Sequence, residues 1–385
     1  MTHRFKQCLI IASLCLGLSA CSQKQTLFSE FPGFDHYFAS NQPSDALPDA
    51  TAQALLTQYR PRVFMAEGQP RFIDFYQDYI ANGALYVDDK RVSNTVDQAL
   101  LNQYKTDTNA EFRHKPSSQA GSPVVYGRID QDVLEHDGKQ YPLTFLNYNL
   151  VFPKSGLLKG LSTWQYLAME TVGDTEDWHQ LDHYVGLAVV LYQNQPLAVM
   201  LQQHNYKTTW LLTDQKTSYS TTLAADDRIA VDVALQSNEL YLHRKELTRH
   251  PGISFVDADT IEFYKTAKNK PMMAGWDITH GQQEQDYQLK FLPASDAFYT
   301  FKGRLGENRK LPGRDGPPGA QYVTLPDLMP WSSRLVSSFR PGSLEEEKAK
   351  LEKLLAAGKF KIDTKALEAY TRDFVQAAKA QGKLP

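Results

Sequence analysis

Between residues 61 and 292 the apolar positions fall in short alternating runs closed by turn residues, the pattern of strands that bury one face. The runs predict strands at Pro61 to Met65, Gly83 to Val87, Pro123 to Ile129, Tyr141 to Phe152, His183 to Tyr192, Gln195 to His204, Thr208 to Thr213, Ile229 to Ala234 and Gln288 to Leu292. In the fifth run Val185, Leu187, Val189 and Leu191 alternate with Tyr184, Gly186, Ala188 and Val190, so one face is buried and the other is nearly apolar as well. Asn194-Gln195-Pro196 then turns the chain and Leu197 to Leu201 returns, which predicts a hairpin in the middle of a sheet.

The pattern changes at both ends. A short helix is expected from about Asp49 to Tyr59, closed by Arg60-Pro61 because the residue before proline is pushed out of the helical region. Gly306 to Pro318 is basic and rich in glycine and proline, which forbids helix or strand and implies a loop. Ser343 then stands as an N-cap, with Glu345, Glu346 and Glu347 near the positive end of a helix dipole and an end near Gly358. A second helix follows from about Asp363 to Gln381, with Leu367, Tyr370, Phe374 and Ala377 spaced for one apolar face. The expected fold is mainly β: an antiparallel β-sandwich with a short N-terminal helix and a C-terminal helical hairpin. Residues 49–325 would form the sandwich domain and 326–385 the helical extension.

The first residues carry a different message. A basic start (His3, Arg4, Lys6), an apolar stretch from Cys8 to Leu18 and the small residues Ser19 and Ala20 precede Cys21, the arrangement of a bacterial lipoprotein signal with its lipid-acceptor cysteine. The apolar stretch is too short to span a bilayer, which takes roughly 20 residues. Residues 1–20 are therefore read as a signal peptide and 21–48 as a tether, into which Phe28, Phe31, Phe34, Tyr37 and Phe38 bring enough aromatic surface for part of it to dock on the domain. Ser22 stands where an inner-membrane retention signal would show aspartate, so the expected location is the outer membrane, held by lipid chains such as palmitate that contribute about 0.8 kcal/mol per buried methylene.

Composition narrows the chemistry further. Of 385 residues, 41 are Lys or Arg and 44 are Asp or Glu. Losing Arg4 and Lys6 with the signal leaves about −5 on the mature chain, which argues against a nucleic-acid or anionic-lipid partner. All 3 cysteines lie at or before Cys21, so the mature chain has no thiol for a disulfide, a metal or catalysis. No phosphate loop or dinucleotide fingerprint is present, which removes the usual nucleotide enzymes.

The densest polar cluster runs from Asp174 through Glu176, Asp177, Trp178, His179 and Asp182 to His183, directly before a strand. Carboxylates, imidazoles and an indole at that place suit a sugar hydroxyl cluster or a divalent cation, so no cofactor is certain and a divalent cation is the candidate. The His-x-x-Asp-His spelling of 179–183 is close to an inverted zinc-protease motif. That motif needs a helix, whereas strand residues four apart lie about 13 Å from each other, too far to share one ion. His204 ends the returning strand of the hairpin and would lie beside the 182–186 end, so Asp177, His179 and His204 form the candidate metal set. Asp174, Glu176, Asp177, Trp178, His179 and His204 form the candidate ligand edge. Ser237 lacks a Gly-x-Ser-x-Gly elbow, and Asp277 with His280 could be a carboxylate and base or merely a turn aspartate and an exposed histidine. With no complete catalytic set, the reading leans away from an enzyme. It favours a lipoprotein that binds a glycan or envelope protein, with a metal-assisted envelope hydrolase built on the 174–204 cluster as the alternative.

Several motifs in order resemble a known family. Tyr59-Arg60-Pro61-Arg62-Val63-Phe64 followed by Asn82-Gly83-Ala84-Leu85-Tyr86, the Tyr148 to Phe152 strand, Asp177-Trp178, Gln203-His204, Ile229 to Ser237, and Phe301 to Glu307 with Gly316 to Gly319 together resemble the vacuolar protein sorting sixty-two-like proteins, distant relatives of necrosis-inducing proteins. The resemblance implies a β-sandwich, and it would put the cation site of the necrosis-inducing relatives at the Asp177-Trp178-His179 and Gln236-Ser237-Asn238 positions. This chain departs there: His179 stands in place of glutamate, and Gln236-Ser237-Asn238 replaces Gly-Ser-His. The resemblance thus implies the architecture more than a retained ion site.

Overall fold

The computed structural model describes residues 44–115, 121–171, 173–182, 185–203, 206–255, 271–306, 330–339 and 364–385. Its strands begin with β1 (Arg62–Met65), β2 (Gly83–Val87), β3 (Lys90–Ser93) and β4 (Ala110–His114). The middle of the chain adds β5 (Val124–His136), β6 (Lys139–Asn149), β7 (Gly186–Tyr192), β8 (Gln195–Gln203), β9 (Tyr206–Leu212), β10 (Ser220–Thr221), β11 (Ala230–Val233) and β12 (Leu240–Leu242). Then come β13 (Thr248–Phe255), β14 (Pro271–Thr279), β15 (Gln283–Glu284) and β16 (Gln288–Phe291). The protein is mainly β, with several sheets and a few helices.

Every strand expected from alternation is present, shifted at its ends by a few residues at most except β5, which continues from Val124 to His136. The N-terminal helix is Ala50–Gln58, with Asp49 as its N-cap accepting from the Ala52 amide at 2.8 Å. The predicted hairpin joins β7 and β8, but its turn is Gln193-Asn194, one position earlier than the sequence suggested. Both residues have positive φ (49° and 61°), and Tyr192 pairs with Gln195 across them. A two-residue turn of this hand matches the twist of its strands, and asparagine tolerates the left-handed region better than most residues. Pro196 sits inside β8 opposite Leu191, beside the register shift at Val190/Leu191, where a missing amide is accommodated.

β5 to β9 form an antiparallel meander at the centre of a seven-stranded sheet ordered β10-β9-β8-β7-β6-β5-β16. The expected all-antiparallel pairing fails at its margins. β16 runs parallel to β5, β10 runs parallel to β9, and β1 runs parallel to β11 in a four-stranded sheet ordered β12-β11-β1-β15. The β1–β11 and β5–β16 joins bring together segments far apart in the chain, which hairpin logic does not foresee, whereas β10 follows β9 after a short connection.

The two faces of the seven-stranded sheet bury different clusters. On one, Leu146, Leu187, Val189, Val199 and Leu201 pack with Val63, Met65, Val231 and Val233 of the four-stranded sheet and with Leu56 of the first helix. On the other, Phe145, Ala188, Val190, Ala198, Met200 and Leu211 pack under Trp331, Leu335 and Phe339 and under Tyr370, Phe374, Val375 and Ala378. The nearly apolar second face of β7 is thereby explained: the helices Trp331–Ser337 and Thr364–Ala380 cover it. The second helix of the expected C-terminal hairpin is thus present, while the first, at 343–358, lies outside the described residues. A third cluster joins the β3-β2-β4 sheet to the π-helical turn Phe75–Tyr79 and to Phe298 and Phe301. No helix among the described residues is long and apolar enough to cross a membrane.

Candidate functional site

The turn between β11 and β12 organises a polar edge. Gln236 and Asn238 both take positive φ (68° and 63°), and their side chains reach neighbouring segments on either side. Asn238 Nδ2 donates to Lys154 O at 3.0 Å and to Asp182 Oδ2 at 3.1 Å. Gln236 Nε2 donates to Glu176 Oε1 at 3.0 Å, and Gln236 Oε1 accepts from the Tyr166 hydroxyl at 3.1 Å. The Gly156 amide donates to Gln236 O at 2.7 Å, and a Cβ at Gly156 would come within 2.7 Å of Thr175 O, so the close approach needs glycine. Three sequence-distant segments, 154–166, 174–182 and 236–238, therefore meet at one place.

Below this edge lies a buried network. Asp277 of β14 is fully buried and accepts from the Ser237 hydroxyl at 2.5 Å and from the Tyr241 hydroxyl at 2.6 Å. Hydrogen bonds to an ionised acceptor are short and strong, and they offset the desolvation of the carboxylate. The Tyr241 ring stacks on His250 with centroids 3.9 Å apart, and His250 Nε2 lies 3.0 Å from the Thr279 hydroxyl. Burial pushes the His250 pKa down to about 4, against the pull of the Asp277 charge and with a smaller push from Arg244. His250 is accordingly neutral at pH 7. Ser237, buried and donating to a carboxylate, is held as a structural hydroxyl rather than activated as a nucleophile. Of the Asp277 and His280 pair considered in the sequence, Asp277 is bonded to Ser237 and Tyr241, and His280 lies near enough to Asp232 to favour that residue's ionised form.

The expected ligand edge is placed as follows. Asp174 is exposed and caps its own turn, accepting from the Glu176 amide at 2.8 Å. Glu176 is exposed and bonded to Gln236, whereas Trp178 is buried. Asp177 and His179 are half-buried, and the His179 amide donates to Ser155 O at 2.9 Å. The 179–182 stretch is extended, bridging Ser155 at His179 and Phe152 at Asp182, so the helix that the zinc-protease spelling needs is not formed. His204 and His183 lie outside the described residues, as does Cys21. Among the described residues no group of three or more His, Cys, Asp or Glu side chains is placed to hold a metal ion.

The structure adds aromatic residues to this edge. Helix Thr163–Glu170 buries none of its residues and exposes Trp164 (81%) and Leu167 (53%). Trp276 is 36% exposed, and the Gly160 amide donates to its carbonyl at 2.9 Å, so both indoles border the 158–164 segment. The short helix was legible as a Ser162-x-x-Gln165 capping box, whose reciprocal bonds are both formed. Its bare outer face was not legible, because only the assembled neighbours determine which side of a helix is left uncovered. No family model, no curated protein and no solved structure matches the chain. The resemblance to the vacuolar protein sorting sixty-two-like proteins thus rests on its quoted motifs alone.

Proposed function

We propose that the protein is an outer-membrane lipoprotein, anchored through lipid on Cys21, that binds an envelope glycan along the edge formed by 158–182, 236–238 and Trp276. The shared core of the four-stranded and seven-stranded sheets supports reading the scaffold as a β-sandwich. The observation that carries the reading is the exposed indole of Trp164 on the helix whose Tyr166 enters the Tyr166–Gln236–Glu176 relay, with Trp276 bonded through its backbone to Gly160 of the same segment. Sugar rings present apolar C–H faces that stack on indoles, while their hydroxyls exchange hydrogen bonds with amides and carboxylates.

Titration of the mature protein with solubilised envelope glycans by calorimetry tests this. Trp164→Ala is expected to weaken binding at least tenfold, about 1.4 kcal/mol, with a nearly unchanged melting temperature because the residue is 81% exposed. Equal binding by this variant, or no binding by the wild type, would overturn the reading. Mass spectrometry of the membrane-extracted protein, with acyl chains expected on a peptide beginning at Cys21, checks the anchor.

A further inference from the structure

The outer face of the four-stranded sheet carries a second group of chemically capable residues. Cross-strand partners share a face, and the register places Glu284 opposite Phe64, Phe64 opposite Asp232, and Asp232 opposite Tyr241. β12 ends at Leu242, and the next residue, His243, turns back over this row. Its Nδ1 lies 2.6 Å from Asp232 Oδ1, and its ring stacks on Phe64 with centroids 3.8 Å apart and planes 16° from parallel. Asp232 is fully buried, and its other oxygen accepts from the Arg244 amide at 2.9 Å.

These contacts determine the state of the imidazole. A carboxylate facing Nδ1 requires a proton there, which leaves Nε2 as the acceptor of the neutral ring. Nε2 has no hydrogen-bond partner among the described residues, and the side chain stays 17% exposed, so that lone pair opens to solvent. The ring is held from two directions, by the carboxylate and by the Phe64 face. Gly281 passes so close above that a Cβ would come within 1.8 Å of Asp232 Oδ1 and 2.8 Å of Phe64 Cβ. Only glycine lets this strand connection cross without displacing the pair. An oriented imidazole with a buried carboxylate behind it and a free nitrogen in front is the acid–base half of many hydrolytic sites.

We propose that His243 acts as a general base toward water in the hydrolysis of an ester, with Asp232 as its positioning residue. His243 Nε2 takes a proton from water as the water oxygen bonds to the ester carbonyl carbon. The acyl C–O bond then breaks, and the imidazolium returns that proton to the departing alkoxide, giving a carboxylic acid and an alcohol with no redox change. An ester is the substrate class because imidazole-assisted water attack needs no metal or covalent nucleophile on an acyl carbon with an alkoxide leaving group. Glycosidic bonds instead call for paired carboxylates around the scissile bond. The charged groups around His243 are Asp232, Glu284, Arg62, Arg244 and His280. Glu284 is held low in pKa chiefly by the hydrogen bond from Arg62, with the Arg62, Arg228 and His243 charges adding, and so remains an anion beside the ring.

The test is hydrolysis of p-nitrophenyl acetate by the mature protein, followed as kcat/KM against pH and compared with equimolar free imidazole. His243→Gln is expected to lower kcat/KM about 100-fold, the lower end of what general-base catalysis contributes, while circular dichroism shows the same fold. Asp232→Asn is expected to lower kcat with KM unchanged, because the amide can offer its N–H to Nδ1 and turn the ring's proton toward Nε2, and Asp232→Glu, which keeps the carboxylate, is expected to restore part of the rate; a purely structural role would not split kcat from KM in this way. His136→Gln, far away in the β5–β6 hairpin, is expected to leave the rate unchanged. A wild-type rate no greater than that of imidazole, or full activity in His243→Gln, would overturn the proposal. Trp164 lies on a different element from His243, Asp232 and Phe64, so Trp164→Ala is expected to keep its esterase rate and the two readings fail independently.

Discussion

Phe374→Ala is expected to destabilise the protein by about 3–5 kcal/mol, the range for removing a fully buried aromatic side chain. Phe374 has no solvent exposure and meets Phe339 edge to face, with ring centroids 5.3 Å apart and planes at 85°. It lies in the cluster formed with Phe145, Val190, Met200 and Leu211 of the large sheet. Truncation would leave a cavity between helix and sheet that the rigid strands cannot collapse into, so the lost transfer energy and the cavity cost add. Urea unfolding should show a lower midpoint with an unchanged slope, while Glu368→Ala on the exposed side of the same helix should stay within about 0.5 kcal/mol of wild type. A loss below about 1 kcal/mol for Phe374→Ala would mean that the helix does not cover the sheet.

The second large effect is acid sensitivity from His250. Its folded pKa of about 4 lies below its ordinary value of 6.5, so folding favours the neutral ring. A depressed pKa contributes stability that is fully present above pH 6.5 and is lost as the pH falls through about 4. The full difference corresponds to on the order of 3 kcal/mol. Asp232 works in the opposite sense. Burial raises its pKa despite the His243 and Arg244 bonds, so its contribution is greatest in acid and is lost as pH rises through the raised value. Asp74 loses stability only further into acid: desolvation would raise its pKa, but bonds from Lys290, Tyr126 and the Gln77 amide together hold it below its ordinary 3.8. Denaturant titrations between pH 7 and 4 should therefore steepen with acid in the wild type and flatten in His250→Phe, which keeps a ring against Tyr241 but cannot take a proton. An equal slope in both proteins would show that His250 does not carry the transition.

Local pattern explains how much of the fold could be read in advance. Alternation marks β7 because Leu187 and Val189 face one cluster while Ala188 and Val190 face the other. The same rule fails for β13 and β14, whose long pairing includes Pro251, Gly252 and Gly275 and a register shift at Gly252/Ile253. Glycine and proline interrupt the alternation there, so no strand was expected, yet the antiparallel ladder holds them. Part of the site was visible in the 174–182 run, where composition alone is unusual. Its partners were not: Gln236 reaches Glu176 across 60 residues, and Ser237 reaches Asp277 across 40. No short-range periodicity encodes such separations.

The amino-acid sequence by itself determined the helix at Ala50–Gln58, the strands of the central meander and the two apolar faces of β7, because each depends on contacts within a few residues or on one repeating period. It also carried the basic, apolar and small-residue order that ends at Cys21. Tertiary structure alone decided the parallel joins of β1 with β11 and β5 with β16, the covering of the second sheet face by the C-terminal helix, and the meeting of His243 with Asp232. Those features depend on which strand edges and faces remain unpaired once the local elements have formed, and the whole chain must be assembled before that is settled.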